Sequence, residues 1–213
     1  MRTQWRSTVF VLAVVALLVA AMWPRERQSA DVAQPPSAPI SHVGESEPSD
    51  DASLAALAVA AALQPCPLPD PQGSPSEQLS GVYVSCLGSR ERIDIGRALA
   101  GEPALINLWA SWCAPCREEI PVLSAYAEEP GAVRVVGVNV QDSQSSALAL
   151  LADLGVHYPS FGDADAVQRT LVAPPVLPLS FIVQRDGSVE RITDPPVFRD
   201  KQQIRDAVAR MVR

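Results

Sequence analysis

The amino-acid sequence predicts a three-layer α/β domain built around a central sheet. Strands alternate with helices along the chain, and a β-hairpin followed by a closing helix ends it. The runs at residues 104–111 (ALINLWAS) and 133–140 (VRVVGVNV) are almost continuously apolar, as expected of strands that are covered on both faces. A chain of 213 residues is long enough for one such domain and an appendage.

Local signals place the elements of the first half of this domain. Residues 79–89 (LSGVYVSCLGS) predict one arm of a hairpin, and residues 93–102 predict a short helix that ends at Gly101. The segment from Cys113 to Glu129 predicts a longer helix, because Pro115 is tolerated in a first helical turn.

The second half follows in the same way. Residues 143–155 predict a helix with a Ser-rich start and a terminal glycine, and residues 165–172 predict a further short helix. Residues 177–193 predict a hairpin that turns at Asp186-Gly187. Residues 200–212 predict an amphipathic closing helix.

The N-terminus predicts a membrane anchor. Residues 1–7 are assigned to the cytoplasm, and residues 8–23 form an uncharged apolar run. That run is short for a spanning helix and also fits a cleaved secretory signal, but Trp23 and the polar residues after it favour an uncleaved anchor. Both interpretations place the rest of the chain outside the cytoplasm. The predicted location is therefore the cell membrane, single-pass, with the domain on the extracytoplasmic side.

Residues 24–62 are predicted to be a flexible tether and residues 63–213 the folded domain. Residues 24–51 are rich in Pro and Ser and hold almost no large apolar side chain, so they cannot bury enough surface to offset their ordering entropy. Residues 53–64 (SLAALAVAAALQ) are apolar but too short to span a membrane. They form either a helix docked on the domain or a continuation of the tether.

Two cysteines, Cys113 and Cys116, stand three positions apart at the predicted start of a helix. A c-type haem would need a histidine where Arg117 stands. A zinc site would need two further ligands at matching spacing, which Cys66 and Cys86 do not offer. A purely structural staple between residues this close would restrain little of the unfolded chain. A reactive dithiol therefore explains the motif best.

The chemistry of this dithiol follows from its place on the helix. Cys113 would lie beside unsatisfied backbone N–H groups at the positive end of the helix dipole, and both stabilise a thiolate. Cys116 would lie one turn further on the same face. We expect Cys113 to attack a disulfide and form a mixed disulfide, and Cys116 to resolve it.

Three stretches carry a family resemblance: LINLWASWCAPCREEIPVL at 105–123, GVHYPSFGD at 155–163 and LPLSFIVQRDG at 177–187. They resemble the thioredoxin-like proteins, specifically the membrane-tethered extracytoplasmic thiol–disulfide oxidoreductases of the TlpA, ResA and CcmG (DsbE-like) type. The resemblance runs from about Ile93 to the C-terminus. It implies a thioredoxin-like fold with a central mixed β-sheet and an N-terminal hairpin extension, and it implies protein disulfide oxidoreductase activity.

The resemblance also implies roles for single residues. Cys113 would be the exposed nucleophile and Cys116 the resolving thiol. Glu119 matches an acidic position and would shift thiol pKa values or relay protons; a solvated helix carboxylate is the alternative. Asn107 stands where cytoplasmic thioredoxins carry a buried aspartate. Trp109, on the strand before the dithiol, is expected to be core.

On the substrate side, the resemblance implies a groove beside the dithiol. A cis bond before Pro178 would present the Leu177 backbone to an extended substrate segment. Leu179 replaces a small hydroxyl residue and predicts a more apolar groove. The implied substrate-binding residues are Trp112, Ala114, Pro115, Leu177 and Pro178.

The two remaining cysteines are Cys66 and Cys86. Leftover cysteines in an exported domain usually pair, so we predict a structural disulfide that stabilises the domain by roughly 3 kcal/mol. A second redox pair is the alternative.

The predicted function is exchange of disulfides with envelope proteins, for example in cytochrome c maturation or envelope thiol reduction. The expected partners are protein thiols and disulfides and a membrane electron donor or acceptor of the disulfide relay. Alternatives are an oxidant in protein disulfide formation and a thioredoxin-like module that binds clients without turnover. We predict no metal and no cofactor, and the net charge of −7 argues against nucleic acid as a partner.

Overall fold

The computed structural model describes residues 50–89 and 91–212, and the elements below belong to that part of the chain. The strands are β1 (Tyr83–Cys86), β2 (Arg92–Asp94), β3 (Ala104–Trp109), β4 (Arg134–Asn139), β5 (Ser160–Gly162), β6 (Leu179–Val183) and β7 (Val189–Arg191). The helices are α1 (Asp50–Ala61), α2 (Ile95–Ala98), α3 (Ala114–Ala127), α4 (Gln144–Leu154), α5 (Asp165–Thr170) and α6 (Lys201–Met211).

The strands form one seven-stranded sheet in the order β2-β1-β5-β4-β3-β6-β7. The central strands β3, β4 and β5 are parallel, whereas the β1–β2, β1–β5, β3–β6 and β6–β7 pairs are antiparallel. This arrangement confirms the predicted mixed sheet. It also places the hairpin of β1 and β2 at one edge and the hairpin of β6 and β7 at the other.

Side-chain alternation along β3 divides the core into two layers. Leu105 and Trp109 pack with α3, α4 and α6 on one face, and Ile106 and Leu108 pack with α2 and α5 on the other. Since successive side chains point to opposite faces of a sheet, Asn107 shares the face of Leu105 and Trp109. A polar side chain thus lies in the apolar layer directly beneath α3.

Most predicted elements have the bounds that their local signals indicated. The Ser143 side chain caps α4, and Gly155 ends that helix in the left-handed conformation. Asp200 caps α6 in the same way. The helix predicted over 93–102 is wrong in part, because Ile93 pairs with Val84 in the sheet and leaves only α2 helical.

Of the two alternatives for residues 53–64, the structure has the docked helix. Leu54, Leu57 and Ala58 of α1 pack against the core layer that contains α4. A Cβ atom at Gly88 would lie 2.7 Å from the Cβ of Ala58, so the close approach of this helix requires a glycine there. Helix α1 lies within the range, 24–62, that was assigned to the tether.

The predicted anchor, residues 8–23, lies outside the described residues, as does the tether up to residue 49. None of the helices that the structure describes combines the length and the apolar character needed to cross a membrane.

Candidate active site

The two cysteines of the reactive motif are joined in a disulfide at the start of α3. Cys113 is the N-cap residue of that helix, and its Sγ accepts a hydrogen bond from the backbone N–H of Cys116 at 3.2 Å. The sulfur of Cys113 therefore occupies the position where the free N–H groups and the helix dipole stabilise negative charge.

The two sulfurs differ in their access to solvent. Cys116 is fully buried, whereas Cys113 is 5% exposed and lines an open groove of about 370 Å³. In this disulfide form Cys113 is less exposed than the family resemblance implies for the nucleophile. A partner sulfur can approach Cys113 from the groove and cannot approach Cys116.

The groove brings most of the predicted substrate-binding residues together. The bond between Leu177 and Pro178 is cis, and Leu179 directly after it is buried in β6. Gln141, Gln168 and Val176 also line the groove and were not predicted, because they lie far from the dithiol in sequence. The predicted residues on its wall are Trp112, Ala114, Pro115 and Leu177.

Hydrogen bonds fix one wall of the groove. The indole N–H of Trp112 donates to the Gln141 carbonyl at 2.9 Å. The Gln141 side-chain amide donates to Gln168 Oε1 at 2.6 Å, and its backbone N–H donates to Asp165 Oδ1 at 2.6 Å. These hydrogen bonds fix the position of the Trp112 side chain, and its ring remains largely exposed to solvent.

Asp142 holds the loop that precedes the dithiol. It accepts hydrogen bonds from the Ser111 backbone N–H at 2.5 Å and from the Ser111 hydroxyl at 2.9 Å. It also accepts from the Asn139 side chain and the Ser143 backbone N–H, both at 2.9 Å. This residue was missed, although an aspartate directly after a buried strand and before a helix start is a signal for such a role.

Glu119 lies beneath the dithiol, one turn beyond Cys116 on α3. It is only 1% exposed, which excludes the alternative of a solvated helix carboxylate. Its Oε2 accepts a hydrogen bond from Asn107 Nδ2 at 2.8 Å, and its Oε1 accepts from the Phe198 backbone N–H at 2.7 Å. Asn107 Nδ2 also donates to Ser180 Oγ at 3.1 Å.

The surroundings of Glu119 shift its acidity in two directions. Burial raises the pKa of the carboxyl above its ordinary value, while the hydrogen bonds from Phe198 and Asn107 lower it, and burial prevails. The neighbouring Tyr158 hydroxyl is buried and makes no hydrogen bond to any described residue. Burial, and then the charge of Glu119, raise the pKa of Tyr158. Glu119 therefore holds a proton to higher pH than an ordinary glutamate.

The second cysteine pair lies elsewhere on the sheet. Cys66 and Cys86 form a disulfide that joins the segment after α1 to the last residue of β1. Three strand steps separate β1 from β3, a distance of roughly 14 Å at the usual strand spacing. Trp109 at the end of β3 is fully buried, as expected of a core residue.

Comparisons with known proteins agree with this site. Residues 89–192 match the AhpC/TSA family. The thiol:disulfide interchange protein CycY of Rhizobium leguminosarum bv. viciae is 36% identical over 94 residues, which are 43% of this chain and 50% of CycY. The thiol:disulfide interchange protein DsbE of Pseudomonas aeruginosa is 31% identical over 110 residues, 48% of this chain and 59% of DsbE. The chain thus spans about half the length of the curated relatives it matches.

Among solved structures, the domain is similar to a secreted Mycobacterium tuberculosis disulfide oxidoreductase homologous to E. coli DsbE. The two are 24% identical with a TM-score of 0.54, and the match covers 63% of this chain and 98% of that one. At this identity the likeness concerns the fold. The predicted thioredoxin-like fold and the family resemblance are thereby confirmed, the fold by this structural likeness and the resemblance by the match of residues 89–192 to the AhpC/TSA family.

Proposed function

We propose that this chain is a thiol–disulfide oxidoreductase that reduces disulfides in proteins outside the cytoplasm. One observation carries the proposal: the Cys113–Cys116 disulfide caps the N-terminus of a helix at the floor of an open groove. A reducible pair in this position has one ionisable, reachable sulfur and one shielded sulfur. Sulfur exchange needs both.

The reaction proceeds in two exchanges. In the reduced protein, the Cys113 thiolate attacks one sulfur of a client disulfide, the client S–S bond breaks, and the second client sulfur leaves as a thiolate. The Cys116 thiolate then attacks the Cys113 sulfur of the mixed disulfide, and the first client sulfur leaves. Two electrons have passed from the dithiol to the client, and the Cys113–Cys116 disulfide has formed again.

Glu119 is proposed to take up the proton of Cys116 when that buried thiol attacks. Its carboxyl lies on the same buried side of α3 one turn away, and burial raises its pKa above that of an ordinary glutamate. Asn107 and the Phe198 backbone hold both carboxylate oxygens in place.

The buried carboxyl of Glu119 also supports reduction, rather than oxidation, of client proteins by the dithiol. A buried negative charge near the dithiol destabilises the thiolate, and a less stable thiolate makes the dithiol a better electron donor. We therefore expect a reduction potential nearer to the about −270 mV of thioredoxin than to the about −120 mV of DsbA.

The proposed setting is the extracytoplasmic face of the membrane, with residues 8–23 as the anchor. The relatives are named thiol:disulfide interchange proteins, which supports protein disulfides as substrates. A membrane electron donor would reduce the Cys113–Cys116 disulfide after each turnover. Reduction of client disulfides to thiols for cytochrome c maturation is the cellular role we propose.

Replacement of single cysteines tests the exchange. In the full chain, Cys116→Ser should accumulate a mixed disulfide with client proteins, because nothing resolves it, and Cys113→Ser should accumulate none. Acid-quenched, alkylated extracts separated without reductant measure this. Equal amounts of adduct in both variants, or none in either, would contradict the assignment of the nucleophile.

Replacement of the buried acid tests its part in the potential. We expect Glu119→Gln to raise the Cys113–Cys116 potential by about 30 mV, equivalent to about 1.4 kcal/mol, at pH 8. The difference from the parent should shrink as the pH falls, because the parent carboxyl then takes up a proton. Glutathione equilibration from pH 5 to pH 9 measures it. The exposed neighbour in Glu118→Gln is the matched control, and an equal shift in both variants would refute the role of burial.

A further inference from the structure

The two residues directly before Cys113 are hydrogen-bonded to a turn that lies far from them along the chain. The Ser111 backbone N–H and hydroxyl donate to the Asp142 carboxylate at 2.5 Å and 2.9 Å. The Trp112 indole N–H donates to the Gln141 carbonyl at 2.9 Å. Two consecutive residues of the active-site loop are thus bonded to two consecutive residues of the turn after β4.

A central strand and a helix start hold this turn in place. Each carboxylate oxygen of Asp142 accepts a second hydrogen bond, one from Asn139 Nδ2 and one from the Ser143 N–H, both at 2.9 Å. Asn139 is the last residue of β4 and is buried, and Ser143 caps α4. Asp142 and Ser111 are both partly buried, and hydrogen bonds to a charged group are stronger where water is partly excluded. The carboxylate therefore connects the loop before the dithiol to the frame of the domain.

The disulfide restrains Cys113 only in the oxidised protein. In that state the bond to Cys116 holds its sulfur over the first turn of α3. Reduction breaks the bond, and the place of Cys113 then depends on the loop that precedes it. An N-cap side chain can accept a hydrogen bond from the helix only while its backbone keeps the capping conformation. The loop must therefore be held by contacts that survive reduction.

We propose that Asp142 is a positioning residue for sulfur exchange, which acts through Ser111 to keep the reduced Cys113 at the N-terminus of α3. This inference rests on the proposed function, because it concerns the same nucleophile. A nucleophile that is held near its reactive geometry reacts faster than one that must first adopt it. The hydrogen bonds of Asp142 do not involve the disulfide, so they can hold the loop in both redox states.

The charge of Asp142 and its positioning effect change the ionisation of Cys113 in opposite directions. A nearby carboxylate disfavours a thiolate, so loss of the charge alone would let Cys113 ionise at lower pH. Loss of the bonds to Ser111 would instead let the sulfur leave the helix N-terminus, and Cys113 would ionise at higher pH. The direction of the change therefore shows which effect prevails.

Substitutions of Asp142 in the reduced full chain test the proposal. We expect Asp142→Ala to exchange with 2-hydroxyethyl disulfide about tenfold more slowly than the parent. Its alkylation at Cys113 by iodoacetamide, followed by mass spectrometry, should reach half of its maximal rate at higher pH. Asp142→Asn should recover most of the lost rate, because an amide oxygen can accept from the Ser111 N–H while the amide NH₂ donates to the Ser111 hydroxyl.

Asp186 supplies the matched control. Its carboxylate accepts from the Ser188 N–H at 2.9 Å and from the Ser188 hydroxyl at 2.7 Å, the same pair of bonds in the turn between β6 and β7. Because Val183 at the end of β6 pairs with Ala104 at the start of β3, this turn lies at the opposite end of β3 from the dithiol. Asp186→Ala should therefore exchange at the parent's rate.

The outcomes separate this inference from the proposed function. Suppose that the parent reduces 2-hydroxyethyl disulfide. If Asp142→Ala then matches its rate or ionises at lower pH, or if Asp142→Asn is as slow as Asp142→Ala, the positioning role is wrong and the oxidoreductase proposal stands. If the parent does not reduce 2-hydroxyethyl disulfide, both are wrong.

A second variant decides if urea unfolding shows that Asp142→Ala does not fold. Ser111→Ala removes one of the two bonds to Asp142 and no charge. Exchange about threefold slower than in the parent supports the inference, and an unchanged rate overturns it.

Discussion

Asn107 and Glu119 form a buried polar pair between β3 and α3. The amide of Asn107 donates to Glu119 Oε2 at 2.8 Å, and it can do so because an asparagine stands where a carboxylate would repel. The pair makes the acidity of Glu119 depend on a neutral donor. The identity of residue 107 therefore decides whether the site contains one buried acid or two.

Asn107→Asp should destabilise the domain at neutral pH. Two carboxyls at this distance cannot both ionise, so the pair must retain a proton in the folded state, and its pKa is raised above that of the unfolded chain. A raised pKa means that stability falls as the pH rises above the ordinary carboxyl range. We expect a loss of about 2–4 kcal/mol at pH 8 and a smaller loss at pH 5, measured by urea unfolding. Asn107→Ser, which adds no charge, is the control. If Asn107→Asp lost the same stability relative to the parent at pH 5 and at pH 8, this account would be wrong.

Single residues were predictable where one local motif decides their place. The spacing of Cys113 and Cys116 before a helix predicted which sulfur caps the helix and which is buried. Glu119 lies at helical spacing from Cys116 and Leu123, which places it on the buried face of α3, but the hydrogen-bond partners of its carboxyl were not predictable. The segment that covers Glu119 contains Phe198, 79 positions away in sequence. A hydrogen bond from such a distant segment has no local signal.

At the scale of elements, the docking of α1 depends on close contact with the loop after β1. Gly88 faces Ala58 of α1 with no room for a side chain, and it also has a positive φ of 84°. Gly131 has nearly the same φ, 82°, but nothing lies within 4 Å of the position of its absent Cβ. A comparison of substitutions at these two glycines therefore distinguishes the cost of backbone strain from the cost of a steric clash.

Gly88→Ala should loosen α1, whereas Gly131→Ala should not. Both substitutions place alanine at a positive φ, and we expect each to lose about 1 kcal/mol for that reason. Gly88→Ala should lose about 1–3 kcal/mol more through overpacking. Amide hydrogen exchange over residues 54–61 should accelerate in Gly88→Ala alone. Equal stability losses and unchanged exchange would show that α1 does not depend on this contact.

Elements with a strong local pattern were predictable, and the others were not. For β3 the signal is an apolar run, and for α4 it is a serine at the start and a glycine at the end. Each signal lies within or next to the element that it predicts. Residues 53–64 are rich in alanine and leucine without charge, a composition that suits a docked helix and a linker equally. Contact with α4 decides between them. The three-residue strand β5 escaped prediction because its pairing partners, β1 and β4, define it.

For the whole molecule, the Cys66–Cys86 disulfide ties the N-terminal segment to the edge of the sheet. The bridge spans a sequence separation of 20, and the double variant Cys66→Ser, Cys86→Ser should lose about 3 kcal/mol of stability in the chain-entropy model. Its rate with 2-hydroxyethyl disulfide should match the parent's, because three strand steps separate the pair from the dithiol. Urea unfolding and the exchange rate are the two measurements. A lost exchange rate with unchanged stability would favour the alternative of a second redox pair.

The hydrogen bond from the Phe198 backbone to Glu119 couples the C-terminal segment to the active-site acid. The bond favours the ionised carboxylate, so its loss while the carboxyl stays buried would make Glu119 a weaker acid. By thermodynamic linkage, proton uptake by Glu119 weakens the hydrogen bond from the Phe198 N–H by the same free energy. In the proposed catalytic cycle, the proton that passes from Cys116 to Glu119 would therefore briefly weaken the attachment of the loop before α6 to the domain.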